Sequence, residues 1–180
     1  MDVIELRTAR LLLRQWQDDD YEPWARLHGD AHAMRFFPSV LDRAVSDALA
    51  DRYAARVADQ GWGLWAVEVI DGAPFIGSVG LNLPAFESHF TPAVEVGWRL
   101  LPEHWGNGYA TEAARAAVNF GFTRLGLDEI VSFTTTVNEP SRRVMERLGM
   151  THDQADDFDH PALTDWPLRR HVLYRLRRPR

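Results

Sequence analysis

Apolar and polar positions along the chain change period several times, and each change marks an element. Arg10-Leu-Leu-Leu-Arg-Gln-Trp16 is a short apolar run between charges, the pattern of a buried first strand. Asp18, Asp19 and Asp20 follow as N-cap candidates whose charge favours a helix start, and Tyr21, Trp24, Ala25, Leu27 and His28 continue that helix. Phe36-Phe37-Pro38-Ser39 breaks the pattern. From about Asp42 to Gln60, Leu49, Tyr53 and Val57 recur four residues apart as one apolar stripe, which Gly61 stops. Three strand candidates come next, Gly63–Ile70, Phe75–Leu83 and Ala93–Leu101. The Asp71-Gly72 pair is a hairpin signal, and the short connections predict an antiparallel meander.

The period then returns to helical. Ala110, Ala113, Ala114, Ala117, Val118, Gly121 and Leu125 share one face, small enough to lie close against a sheet, and Gly126 ends the run. Glu129–Thr136 is β-branched and predicts a strand. Asn138 or Ser141 opens a short helix carrying Val144, Met145 and Leu148, closed by Gly149. An acidic loop, Asp156-Asp-Phe-Asp-His-Pro161, precedes a final alternating strand, Arg170–Arg177. Strands first, then strand–helix–strand–helix–strand, predict one α+β domain over residues 1–180 with a mixed sheet. Its glycine-led helix crosses between neighbouring parallel strands.

Composition narrows the function. The 180 residues carry 46% hydrophobic and 26% charged positions, ordinary for a globular protein long enough to bury a core. The formal net charge of −6 argues against nucleic acid as partner and is compatible with a cationic amine. Without cysteine there is no disulfide, thiol nucleophile or thiolate metal site. His28 and His32 have helical i, i+4 spacing but no third ligand in register, so no metal is expected. The N-terminus lacks a signal-peptide pattern and no apolar run is long enough to span a bilayer, which leads us to expect a cytoplasmic protein.

The candidate chemistry centres on Pro102-Glu-His-Trp-Gly-Asn-Gly-Tyr-Ala-Thr-Glu-Ala113. Gly106 and Gly108 lie between a strand and a helix, where unpaired N–H groups and the positive end of the helix dipole favour phosphate. A dinucleotide fingerprint is excluded by spacing. Pro102-Glu-His-Trp separates the glycines from the strand, Asp128 precedes the second strand rather than ending it, and the third glycine is missing.

Three ordered blocks carry a family resemblance: Thr8-x-Arg-Leu-x-Leu-Arg14, Pro102-x-x-Trp-Gly-x-Gly-Tyr-Ala-Thr-Glu-Ala113 and Asn138-x-x-Ser141-x-Arg-Val-Met-Glu-Arg-Leu-Gly149. Together they resemble the GNAT acetyltransferases, above all the branch that acetylates the N-terminal alanine or serine of ribosomal proteins. The resemblance spans essentially the whole chain. It implies a mostly antiparallel sheet of about seven strands with flanking helices, and a splayed parallel pair, Ala93–Leu101 and Glu129–Thr136, around the coenzyme. It implies acetyl-CoA as donor, a primary amine as acceptor, direct transfer and no metal.

By the same resemblance the backbones of Trp98 and Leu100 meet the pantetheine amides. Gly106, Asn107, Gly108, Tyr109, Ala110 and Thr111 hold the pyrophosphate, and Asn138 bonds the pantetheine arm, a role compatible with helix capping. Arg142 and Arg143 are candidates to reach the coenzyme's 3′-phosphate. The family's Gln or Arg at the head of the glycine motif is here Trp105, and its tyrosine seven residues after the asparagine is Met145, which has no proton to give. Ser141 therefore stands as the group that protonates the leaving thiolate, and Glu95 as the base that takes the amine proton, unless it faces solvent or pairs with an arginine such as Arg99. Trp62 and Trp65 are candidates to line the acceptor pocket, and the acidic loop to attract an amine. The acceptor is left open among a protein N-terminus, an aminoglycoside or other antibiotic, a polyamine and a small metabolite. The chain is expected to be a monomer or homodimer. An alternative reading is an acyl-CoA-binding sensor without turnover.

Overall fold

The computed structural model describes residues 3–179. In chain order the elements are β1 (Leu6–Arg7), β2 (Leu11–Arg14), α1 (Tyr21–Gly29), α2 (Arg43–Gln60), β3 (Leu64–Val69), β4 (Gly77–Asn82), β5 (Glu95–Leu100) and α3 (Tyr109–Thr123). Then follow β6 (Glu129–Thr135), α4 (Glu139–Arg147), β7 (Thr151–His152), β8 (Phe158–Asp159) and β9 (Arg170–Arg177). The sheet runs β1-β2-β3-β4-β5-β6-β9-β7, with β8 on the same edge of β9 as β7. Among the described residues nine strands form where about seven were expected, because β1, β7 and β8 have two residues each, too few for a period to show in sequence.

Asp42 caps α2, its Oδ1 accepting from Val45 N–H at 2.9 Å, and Gly61 ends that helix as expected, at φ 78°. At α1 the expectation shifts. Asp20 does not cap the helix through its side chain; its carboxylate is buried in a bidentate pair with Arg14, at 2.8 and 2.9 Å, and accepts from Gln17 N–H. A buried charge is tolerable only when paired in this way.

The alternation along the strands sorts two layers. Leu11, Leu13, Trp65, Val67, Val79, Leu81, Val96 and Leu100 pack with Ala113, Ala114, Ala117 and Val118 of α3. Ala66 faces the opposite layer, where Trp24 and Leu27 of α1 and Ala50 of α2 close a second cluster. Trp65 belongs wholly to the first core. It is fully buried, edge-on to Phe120, with its Nε1 donating to Ile4 O, so it cannot line an acceptor pocket; Trp62 packs against the same core.

The pair β5–β6 is the one parallel pairing among the described residues, and it is brief. Only Glu95 and Val131 are in register, with Val131 N–H donating to Val94 O at 2.9 Å. β5 then continues along β4 to Leu100 opposite Gly77, while β6 continues along β9 to Thr135 opposite His171. The two strands part, and the sheet opens between them.

Candidate active site

A cavity of about 1530 Å³ occupies that opening and passes from one face of the sheet to the other. On the α3 face its rim is the glycine loop. Gly106 and Gly108 have φ of 78° and 79°, a left-handed conformation that residues with a Cβ avoid, and α3 starts only at Tyr109. The first helical bond is from Glu112 N–H to Gly108 O. Six successive N–H groups, Gly106 through Thr111, make no backbone hydrogen bond among the described residues. Such a row at a helix N-terminus fits a pyrophosphate, so the residues present suit the coenzyme the sequence resemblance implied.

The N-terminal block braces this loop, a role hidden in sequence because the partners are about a hundred positions apart. Glu112 Oε1 accepts from Thr8 Oγ1 at 2.6 Å and from Arg10 N–H at 3.0 Å, and Oε2 accepts from Arg10 Nε at 2.7 Å. Partial burial would raise the Glu112 carboxyl, but these donors hold it below the ordinary range, so it stays ionised. Arg10 also covers the Tyr109 ring at 4.8 Å. Trp105 is anchored too: its Nε1 donates to Leu100 O at 2.8 Å, and Arg35 lies over its ring. Asn107 turns its amide to the carbonyls of His104 and Trp105, closing the loop on itself.

At the splay, Val94 O faces β6 and Leu101 N–H bonds Ile76 O, just before β4. Strand alternation therefore turns the backbone groups of Trp98 and Leu100 toward the gap that β6 has left. The Leu100 carbonyl is the one Trp105 engages. Across the gap Trp98 Nε1 donates to Ser141 Oγ at 3.3 Å, leaving the serine hydrogen free to donate elsewhere. Asn138 is buried and caps α4, Oδ1 accepting from Ser141 N–H and Nδ2 donating to Thr134 Oγ1 at 2.8 Å. Met145 is fully buried in the core. Arg143 lines the cavity near its mouth, tied to Glu139 one helical turn back. Arg142 instead points away, to Tyr174 Oη and Thr136 O.

On the α1–α2 face the cavity meets Glu95, Gly97 and Arg99, with Tyr53, Phe37 and Trp24 opposite. The surface Glu95 retains opens into the cavity, and burial pushes its carboxyl up to about 7, against the lowering effect of Asn82 and Arg99. It is neither solvated outside the fold nor ion-paired with Arg99. Glu95, Trp98, Leu100, the run from Trp105 to Thr111, Asn138, Ser141 and Arg143 thus line one cavity, while Arg142, Trp62 and Trp65 do not.

The other candidates lie elsewhere. His28 is fully buried, its ring taken up by Ser46 and Arg99, and no cluster of three metal-ligating residues occurs among the described residues. The carboxylates of the acidic loop are taken up by neighbours: Asp156 pairs with Arg175, Asp157 is hydrogen-bonded to His152, and Asp159 pairs with Arg169 and Arg170. From that region His160, Leu163 and Trp166 reach the cavity, and the carboxylates do not. No helix of the described residues is long and apolar enough to cross a membrane.

Known proteins share this arrangement. The sequence model of the acetyltransferase (GNAT) domain matches residues 10–151. The uncharacterized N-acetyltransferase YoaA of Bacillus subtilis (strain 168) is 30% identical over 146 residues, covering 80% of this chain and 81% of YoaA. The crystal structure of an acetyltransferase from Agrobacterium tumefaciens superposes with a TM-score of 0.78 at 26% identity, over 99% of this chain and 96% of that one. Mycobacterium smegmatis RimJ, solved in complex with CoA-disulfide, shares the fold at a TM-score of 0.73 and 22% identity, over 97% and 86% of the two chains. The family model spans the glycine loop, both splayed strands and α4: this chain belongs to the GNAT family of acetyltransferases.

Proposed function

We propose that the protein transfers the acetyl group of acetyl-CoA directly to a primary amine. The observation that carries this reading is the continuity of the cavity. It leads from six unpaired N–H groups on one face of the sheet, through the splay, to a carboxyl on the other.

Gly106 to Thr111 bind the pyrophosphate through backbone N–H groups, a contact that survives the presence of Trp105 because it needs no side chain. Trp98 and Leu100 offer strand-edge groups to the pantetheine amides, and Arg143 at the mouth attracts the 3′-phosphate. Bound acetyl-CoA supplies the activated acetyl group. An amine must lose a proton to attack, and Glu95, with a carboxyl near 7, is matched to take it at neutral pH, directly or through water. Ser141 holds its hydroxyl at the gap, oriented by Trp98, and returns a proton to the departing sulfur. No side chain forms a covalent intermediate.

The test is thiol release from acetyl-CoA in the presence of an amine panel spanning peptides, polyamines, aminoglycosides and amino acids. Amine-dependent release with a matching N-acetylated product supports the transferase. Saturable binding of acetyl-CoA without turnover on any of these amines would reject it in favour of a sensor.

A further inference from the structure

Among the described residues the arginine buried elsewhere in the core has counterions. That residue, Arg14, bonds both Asp20 and Glu68. Arg99 does not. It lies four residues after Glu95 on the same face of β5, and the surface it keeps opens into the cavity. Among the described residues no carboxylate comes within 4.0 Å of it. Its one hydrogen bond is from Nη1 to His28 Nε2, at 2.6 Å. That histidine carries no opposing charge: burial and Arg99 hold its pKa near 3, so the neutral ring accepts from Arg99 and donates from Nδ1 to Ser46 Oγ at 2.7 Å. The guanidinium is fixed in place over Phe37 at 4.1 Å and beside Trp24 at 5.7 Å. Four of its five N–H donors are left over in a site where an unpaired charge is expensive.

We infer that Arg99 anchors an anion in the acceptor half of the cavity, and that the amine acceptor is a small molecule bearing a carboxylate. The inference rests on the amine-acetylation reading and narrows it. A guanidinium edge matches the planar, bidentate geometry of a carboxylate. A phosphate would need further cations, and the groups around Arg99 in this half are Tyr53, Ser78, Asn82, the aromatic rings and the acidic Glu95. Gly97, between Glu95 and Arg99 on the same face, leaves the floor open. A Cβ there would touch only Glu95 Oε1 and Leu64 Cδ2 at 3.9 Å, so the space is free for the acceptor rather than required by the fold. The same positive charge disfavours a polyamine.

The experiment compares α-, β- and γ-amino acids with their primary amides, and with a polyamine, in thiol release by the wild type, Arg99→Gln and Arg99→Lys. At least one free acid is expected to exceed its amide by about tenfold or more in kcat/KM. Arg99→Gln should bring that ratio close to one, chiefly through KM, and Arg99→Lys should restore part of it. Calorimetric titration with CoA, whose site is on the other face, checks that each variant is folded. Amides or polyamines used as well as the acids, or an acid preference untouched in Arg99→Gln, would overturn the anion anchor and leave amine acetylation standing. If none of these amines is acetylated, the same pairs are titrated against the CoA-loaded protein. Acid binding that is lost in Arg99→Gln supports the anchor, and no preference for the acids rejects it. The transferase reading fails separately, only if no amine of any class releases thiol.

Discussion

Glu95 carries a pH dependence of two kinds. As a base it must be ionised, so kcat/KM for a fixed amount of neutral amine should rise with pH through about 7. Glu95→Gln should remove that limb and lower the rate by about a hundredfold or more. The stability effect has the opposite sign. The folded-state pKa lies above the ordinary carboxyl value, so the folded protein holds this proton more tightly than the unfolded chain does. Its contribution is fully present at pH below the ordinary carboxyl value and is lost as pH rises through about 7. Glu95→Gln cannot ionise, so its Tm advantage over the wild type should widen between about pH 5 and about pH 8, as thermal melts would show. Ser141→Ala should cut kcat by about a hundredfold while calorimetry finds CoA affinity little changed; unaltered turnover would remove Ser141 from the chemistry. Ser141 and Asn138 were singled out in sequence by the spacing of the third block, and Glu95 by its place on the strand that the resemblance sets against the thioester. Arg99 entered only as a possible partner for Glu95, since its pairing with His28 joins residues 71 positions apart.

At the scale of elements, the glycine loop depends on a brace from outside itself. The Thr8–Arg10–Glu112 network ties the first turn of α3 to the N-terminal segment. Glu112→Ala frees both partners, and CoA affinity should fall by about tenfold as the row of N–H groups loses its fixed aim. Calorimetry measures that loss, and a circular-dichroism spectrum like that of the wild type would show that the fold survives. The long elements announced themselves in sequence through sustained periods, as in α2, α3 and β9. The two-residue strands did not, and the acidic loop misled because like charges in sequence find opposite partners in space. Asp159, for instance, lies between Arg169 and Arg170 of the returning strand.

Across the whole molecule, function follows from one break in an otherwise continuous sheet. β5 and β6 meet only at Glu95 and Val131, and everything placed beyond that point faces a gap rather than a neighbour. In the proposed reading both faces of the sheet contribute, the α3 layer to the donor and the α1–α2 layer to the acceptor. The proposed donor half was suggested in sequence by the glycine loop together with the strand before it and the Asn138-to-Gly149 block. The proposed acceptor half is lined from α1, α2, the segment at Phe37 and the stretch before β9, each distant in the chain, so no local pattern reveals it. The measurement that bears most directly on this account is calorimetric titration of CoA against the wild type and against Gly108→Ala. In that variant a Cβ must occupy a residue with φ of 79°, a strain of about 1–2 kcal/mol placed in the loop itself. Saturable binding to one site, clearly weaker in Gly108→Ala, is the predicted result. No binding to the wild type, or binding indifferent to the change at Gly108, would contradict it.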